Sequence, residues 1–450
     1  MIHKLKSKYK ENLKDKNFID IINGSLMTFS AKIATVIFGF ISNLIISKYY
    51  GSEVLGTLSV LFSIMSIASI FSLLGMNVSI LRFLPPLLKK KEYYSAFIVI
   101  KRTIILVVVF AFVSSFIIYI FSNFIAGTVF NKSYLTSLIM LISIFIFFQG
   151  LGTISASIIR ALQNIKLFVI LQFLPSFLNL VILMIITYIV HYKYTPLYTQ
   201  LFSQLTVTLI SLIFLYKIIK KYKLEIKVFD KLLSYKNILI ISAPMFLTSI
   251  MQMVVLQTDV LMLGSLDTLI NVGIYSVVVK FALLSSFVIG SINTIIAPKF
   301  SELYYNNEIN ELRRIARKST KLIFYLTLPL SLILIFFGEQ LLLIFGNEFR
   351  SGYYALIMLT VGQLVNIMAG SVGYLLNMTG RQNTLNKIVL FSALINIGLN
   401  AFLIPIYGIN GAAFASMISA IIWNILASYN VKKHIGVYIG YIPIFHKEEK

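Results

Sequence analysis

Long apolar runs, separated by short charged or turn-forming segments, predict a bundle of membrane-spanning helices. Each run has about twenty residues or more, which at ~1.5 Å per residue matches the ~30 Å hydrocarbon thickness of a bilayer. The pattern predicts twelve spans, with ends uncertain by several residues. They lie at residues 19–47, 54–80, 103–125, 135–159, 167–190, 196–216, 237–264, 268–297, 320–345, 352–378, 386–405 and 409–430.

The first span carries a lysine in its middle. Polar and small residues recur in this span at steps of three or four, which places them on one face of a helix. The stripe consists of Ser25, Thr28, Lys32, Thr35, Gly39 and Asn43. An intramembrane lysine costs on the order of 3 kcal/mol on insertion scales and usually faces a cavity, so the stripe predicts a polar path. Alternatively, Lys32 reaches the membrane surface if the helix begins near Gly24 instead of Ile19.

Composition supports the membrane class and excludes several kinds of chemistry. The chain has 450 residues, of which 58% are hydrophobic and 12% charged, with a mean hydropathy of +0.89. The absence of cysteine excludes disulfides and thiolate sites, and the four histidines fall near predicted helix ends or in tails. We therefore expect no catalytic residues, metal site or cofactor. Every predicted external loop is short, and the largest connections have only about twenty residues, which excludes an extramembrane enzyme domain.

The net charge of +23 reflects membrane topology and does not indicate nucleic-acid binding. Most of the 39 lysines and arginines fall in the two tails and in alternate loops, on one side of the predicted membrane. The positive-inside rule makes this side cytoplasmic, together with both termini, and adds an attraction to anionic lipids. The exceptions are Lys48, Lys132, Lys193 and Arg350 on the opposite side, and Lys32 and Lys280 within spans.

An internal repeat divides the chain into two halves of six spans. The segment Gly56-Thr57-Leu58-Ser59-Val60 matches Gly273-Ile274-Tyr275-Ser276-Val277, and the same register aligns Leu81-Arg82-Phe83 with Pro298-Lys299-Phe300. An even number of spans per repeat gives both halves the same orientation, with a substrate path between them. The predicted fold is therefore all-α, with two pseudo-symmetric six-helix lobes at residues 1–225 and 226–450. The second lobe ends in a short interfacial tail.

Four sequence blocks, taken in their order along the chain, carry a family resemblance. They are YYGSEVLGTLSVLFSI with LLGMNVSILRFLP, IIRALQNIK, QTDVLMLGSLDTLINVGIYSVVVKFA, and LLNMTGRQNTLNKIVLFSALINIGLNAFLIPIYGINGAAFASMIS with its N-x-x-x-N element. Together they resemble the polysaccharide-biosynthesis, or O-antigen, flippases of the multidrug/oligosaccharidyl-lipid/polysaccharide (MOP) exporter superfamily. The resemblance implies an inner-membrane protein with a MATE-like fold. It would move a polyprenyl-pyrophosphate-linked saccharide to the outer leaflet by alternating access, for O-antigen, capsule or exopolysaccharide assembly. Expected partners are membrane lipids, H+ or Na+ as a coupling ion, and other polysaccharide-assembly proteins.

The chemistry of this substrate selects the candidate binding residues. Its pyrophosphate needs cations within the membrane, which Lys32 and Lys280 can supply, and its hydroxyl groups need polar partners. Asp259 either accepts hydrogen bonds from sugar, pairs with Lys280 or is structural. Asn43 and Gln252 are candidates for sugar contact, although hydrogen bonding between helices explains buried amides equally well. Candidates at the cytoplasmic mouth are Arg82 and Arg160, whose alternative role is to anchor the topology.

Three other functions stay open. A multidrug extruder of the same superfamily would need acidic groups for organic cations, whereas every acid of the first half lies in a tail, a loop or the edge of a span. Lipid II flippases usually carry two additional spans. A membrane enzyme of lipid-linked sugars would require a longer external loop.

Overall fold

The structure is a computed structural model that describes residues 16–190, 192–222, 234–436 and 439–441. These residues form helices and no strand, which confirms the all-α class. The first seven helices are α1 (Lys16–Leu73), α2 (Met76–Lys89), α3 (Tyr93–Ile120), α4 (Leu135–Ala161), α5 (Ile165–Ile189), α6 (Thr195–Tyr222) and α7 (Tyr235–Leu266). The others are α8 (Leu269–Tyr305), α9 (Ile309–Phe336), α10 (Gly338–Leu343), α11 (Tyr353–Ala369), α12 (Val372–Met378), α13 (Gln382–Tyr407) and α14 (Ile409–Ile435).

Within the described ranges, 11 helices are long and apolar enough to cross a membrane. The first of them, Met27–Leu73, has 47 residues, about twice the length that one crossing needs. Gly51 interrupts this helix with φ +82° and ψ 171°, a backbone conformation that is strained for other residues. The predicted spans 19–47 and 54–80 are therefore joined by a kink and not by a loop, which makes twelve crossings consistent with the prediction.

Two of the predicted spans are interrupted before their predicted ends. The second span stops at Leu73, because Leu74 and Gly75 have φ values of 42° and 74°. A Cβ atom on Gly75 would lie 2.6 Å from the backbone oxygen of Ser242, so the backbone of α7 passes directly beside this break. The span predicted at 352–378 breaks at Gly370, with φ +74°, and continues as α12.

The chain forms two compact units, each with its own apolar core. Unit 1 comprises Met1–Ile45, Met65–Gly127 and Lys132–Ser249, and unit 2 comprises Ile46–Ile64, Thr128–Asn131 and Ile250–Lys450. Unit 2 thus includes part of α1, from the first half of the sequence repeat. The lobe boundary between residues 225 and 226 stays a prediction.

Within unit 2, α1 and α8 cross in backbone contact at two glycines that correspond in the sequence repeat. A Cβ atom on Gly56 would lie 1.8 Å from the oxygen of Leu269, and one on Gly273 would lie 2.0 Å from the oxygen of Ser52. Ser52 and Leu269 also correspond in the repeat register, so the contact is reciprocal. Small residues allow membrane helices to approach this closely.

The end of the described chain packs onto unit 2. Ile439 and Tyr441 are buried, and the Tyr441 amide donates a hydrogen bond of 2.8 Å to the Met368 oxygen. The Tyr441 hydroxyl lies 2.9 Å from that of Tyr325. Residues 442–450 lie outside the described residues, and the interfacial position of the tail stays a prediction.

Candidate functional site

Asp259 is the centre of a buried polar cluster in unit 2. Its side chain is 8% exposed and lies on α7. The Tyr275 hydroxyl donates to Asp259 Oδ2 at 2.6 Å, and Asn400 Nδ2 donates to Oδ1 at 2.7 Å. The Ser416 hydroxyl also donates to Oδ2. Three neutral groups therefore direct their hydrogens at one carboxyl group.

Two asparagines on α13 extend this network. Asn396 and Asn400 are four residues apart, so both side chains project from the same face of the helix. Asn400 Nδ2 donates to Asn396 Oδ1 at 3.1 Å, and Asn396 Nδ2 donates to Ser416 Oγ at 3.2 Å. We call these five residues, Asp259, Tyr275, Asn396, Asn400 and Ser416, the Asp259 cluster; they come from α7, α8, α13 and α14.

The oxygen atoms of the Asp259 cluster contact no cationic side chain among the residues that the structure describes. In the described part of the chain, no lysine or arginine pairs with Asp259, and the buried Asn400 Oδ1 accepts no hydrogen bond. A buried carboxylate without a cationic partner is costly, so this arrangement suits uptake of a proton or of a small cation with oxygen ligands. No group of three or more histidine, cysteine or acidic residues that could hold a metal is found in the described ranges.

The two intramembrane lysines are exposed in their respective units. Lys32 lies on α1 in unit 1, and Lys280 lies on α8 in unit 2. Among the described residues, neither forms an ion pair, and the alternative pairing of Asp259 with Lys280 is absent. Each lysine thus lacks a protein counter-ion within the described ranges.

The other predicted site residues are distributed over both units. Asn43 is half-buried on α1, and Gln252 is exposed on α7, two turns before Asp259. Arg82 is exposed on α2. Arg160 lies in the last turn of α4, with its guanidinium carbon 5.1 Å from the centre of the Phe168 ring. The substrate roles of all four stay predictions.

Sequence reasoning did not single out Tyr275 and Ser416. Tyr275 lies within the repeat segment, and Ser416 lies in the last block of the family resemblance. Hydroxyl side chains are frequent in spans of this chain, and only the adjacency of α7, α8 and α14 identifies the two that reach Asp259. Asn396 and Asn400 fit the N-x-x-x-N element, and their observed role is hydrogen bonding between helices.

An all-helical bundle of long apolar segments, with a polar cluster buried among its helices, is the architecture of a membrane transporter. The family model described as polysaccharide biosynthesis protein matches residues 21–304, and the MatE model matches residues 244–402. The chain therefore belongs to the polysaccharide biosynthesis protein family of the MOP superfamily.

Curated relatives are similar to part of the chain. The capsular polysaccharide biosynthesis protein CapF of Staphylococcus aureus is 26% identical over 231 residues, which are 50% of this chain and 58% of CapF. The probable low-salt glycan biosynthesis flippase Agl15 of Haloferax volcanii is 24% identical over 187 residues, or 41% of this chain and 40% of Agl15. The chain thus spans about half the length of these two relatives.

Solved structures show the same fold over most of the chain. An inward-facing multidrug resistance MATE transporter of the MOP superfamily has a TM-score of 0.72 and 14% identity, covering 89% of this chain and 94% of that one. The lipid II flippase MurJ, in an inward closed conformation, has a TM-score of 0.67 and 20% identity, covering 91% and 87%. At these identities the likeness defines the fold alone.

Proposed function

We propose that the protein is a flippase for polyprenyl-pyrophosphate-linked oligosaccharides and serves assembly of O-antigen, capsule or exopolysaccharide. The observation that carries the proposal is a pair of intramembrane lysines that have no counter-ion among the described residues, in a chain of the polysaccharide biosynthesis family. The names of CapF and Agl15 support the same class of substrate.

A pyrophosphate cannot cross hydrocarbon without cations and hydrogen-bond partners. Lys32 and Lys280 supply positive charge at two points of the path, while Asn43 and Gln252 offer amides to the saccharide. The lipid tail stays in the bilayer, so the protein handles only the polar part of the substrate. Arg82 and Arg160 are proposed to attract the phosphates at the cytoplasmic mouth.

The proposed orientation places the chain in the cell membrane with both termini in the cytoplasm. It is supported by the asymmetric distribution of lysine and arginine. Transport is proposed to occur by alternating access, in which the six-helix lobes 1–225 and 226–450 rock against each other. No bond of the substrate is made or broken.

Transfer of a lipid-pyrophosphate oligosaccharide between the leaflets of proteoliposomes tests the proposal. We expect Lys32→Ala and Lys280→Ala each to slow transfer by about tenfold or more, because each removes a charge-assisted contact worth ~1.5–3 kcal/mol. Lys48→Ala on α1 and Lys299→Ala on α8 are the matched controls and should transfer at the wild-type rate. Unchanged transfer in both test variants would reject the lysine sites. Efflux of cationic dyes by a wild-type protein that transfers no lipid would instead indicate a drug exporter.

The coupling ion, H+ or Na+, is proposed to bind at the Asp259 cluster. The variant Asp259→Asn keeps the size of the side chain and removes its charge. We expect it to lose the acceleration of transfer that an H+ or Na+ gradient gives the wild type, while slow exchange without a gradient continues. Asp267→Asn makes the same substitution directly after the end of the same helix and should keep the response. A gradient response that survives in Asp259→Asn places the ion elsewhere.

A further inference from the structure

An open groove of about 480 Å³ lies in unit 1, between the start of α5 and the end of α6. Its lining is almost entirely apolar. Leu167, Ile170, Phe214 and Ile218 provide the apolar surface, and Asn164, Lys166 and Lys217 complete the lining. The two helices therefore form an apolar groove, and each helix contributes one lysine to its lining.

The charge at this groove is positive. Lys166 and Lys217 are exposed, and neither forms an ion pair within the ranges that the structure describes. The Asn164 side chain caps α5 by accepting a 3.2 Å hydrogen bond from the Leu167 amide, so the positive end of the helix dipole adds to the lysines. The Lys217 ammonium lies 5.9 Å from the centre of the Phe214 ring.

This combination fits a ligand that has an anionic head and an apolar tail. A free phosphate would use only the two exposed lysines, whose attraction is screened in water, and would leave the apolar lining exposed. A lipid without net charge would use the lining and leave the lysines unpaired. Basic pockets between transmembrane helices on the cytoplasmic side bind anionic lipid headgroups.

We propose that this groove is a binding site for an anionic phospholipid of the bilayer, such as phosphatidylglycerol. Lys166 and Lys217 hold its phosphate, and one acyl chain lies along Leu167, Ile170 and Phe214. The inference rests on the proposed orientation, which puts both lysines at the cytoplasmic leaflet, and it is independent of the transported substrate.

Photo-crosslinking in nanodiscs tests this site without a transport assay. The full-length protein is embedded in phosphatidylcholine with a trace of phosphatidylglycerol that carries a diazirine in one acyl chain, and adducts are mapped by mass spectrometry. We expect adducts within residues 165–170 and 214–218, and a loss of at least about fivefold in Lys166→Gln/Lys217→Gln. Lys89→Gln/Lys90→Gln removes two exposed charges outside the groove and should keep the wild-type yield.

Four outcomes would overturn the proposal. The first is an equal yield at these residues with a phosphatidylcholine probe, since charge would then play no part. The second is an unchanged yield in the Lys166/Lys217 double variant. The third is displacement by millimolar inorganic phosphate, which would assign the lysines to free phosphate. Displacement by a short-chain polyprenyl pyrophosphate at the level of the probe would assign the groove to the transported lipid. Because the readout is binding, failure of lipid transfer has no bearing on the result.

Discussion

Alanine at position 273 is expected to force α1 and α8 apart and to lower the apparent unfolding temperature in detergent by several degrees. The added methyl group would lie 2.0 Å from the Ser52 oxygen, well inside van der Waals contact. A backbone oxygen within a helix cannot rotate away as a side chain can. The helices must therefore separate, at a cost of ~3 kcal/mol.

Because the contact between α1 and α8 is reciprocal, substitutions at Gly56 and Gly273 should not be additive in their effect on stability. Gly56→Ala should destabilise the protein to a similar extent, because its methyl group would meet the Leu269 oxygen at 1.8 Å. Once one substitution has separated the helices, the second should cost less. The double variant Gly56→Ala/Gly273→Ala is thus expected to fall short of the sum of the single variants.

Gly290→Ala is the matched control, because Gly290 lies on α8 as well. A Cβ atom at Gly290 meets nothing within 4 Å in the described structure. Alanine favours a helix over glycine by up to ~1 kcal/mol, so this variant should be as stable as the wild type or more stable. Equal losses in Gly290→Ala and Gly273→Ala would contradict the importance of the crossing.

A disulfide between positions 60 and 264 is expected to stop transport. A Cβ atom on Gly264 would lie 2.8 Å from Val60 Cγ2, which occupies the place of a cysteine sulfur. In a disulfide, the Cβ atom of one cysteine lies ~3 Å from the sulfur of the other, so this spacing suits the bond. Since the natural chain has no cysteine, Val60→Cys/Gly264→Cys can form only this intramolecular bond.

The reason for the expected loss is that the two positions belong to different proposed lobes. Val60 lies in lobe 1–225 and Gly264 in lobe 226–450, although unit 2 contains both residues. If the lobes rock, this contact must open once in each cycle. Oxidation should therefore reduce lipid transfer more than tenfold, and a reductant should restore it.

The single variants Val60→Cys and Gly264→Cys control for the substitutions and for oxidation itself. Both should transfer lipid at a rate that is insensitive to oxidant. Non-reducing electrophoresis after protease cleavage of the chain between positions 60 and 264 measures the crosslinked fraction. A fully crosslinked protein that transports at the wild-type rate would reject alternating access through separation at this contact.

Hydropathy predicted twelve spans, which is consistent with the 11 membrane-length helices of the described ranges once the first is divided at Gly51. It did not locate the breaks within the spans. The structured helices α5 and α9 continue through Pro175 and Pro329, as membrane helices can when neighbouring groups satisfy the freed carbonyls. The breaks lie instead at Gly51, at Leu74 and Gly75, and at Gly370. A glycine permits a positive φ without requiring it, so only tertiary packing decides which glycines adopt one.

The sequence was enough to predict Asp259 as a residue of the candidate site. It was not enough to predict the side chains that form hydrogen bonds with Asp259. A carboxyl group inside a span is rare enough to identify Asp259 from the sequence. Its hydrogen-bond donors are side chains of ordinary spans, and Asn400 lies 141 residues away. Such pairings depend on which helices are neighbours, and hydropathy contains no information on that.

The glycine crossing also has the geometry of a homodimer interface. In a two-fold symmetric dimer, residue i of one subunit contacts residue j of the other, and j contacts i in return. Gly56 with Leu269 and Gly273 with Ser52 follow this rule, with the two sequence repeats in the place of two subunits. Two separate six-span chains could make the same contact around a common axis. In one fused chain, either repeat can change without the other. This has occurred where Lys32 aligns with Ser249 and Lys280 aligns with Ser63 in the repeat register.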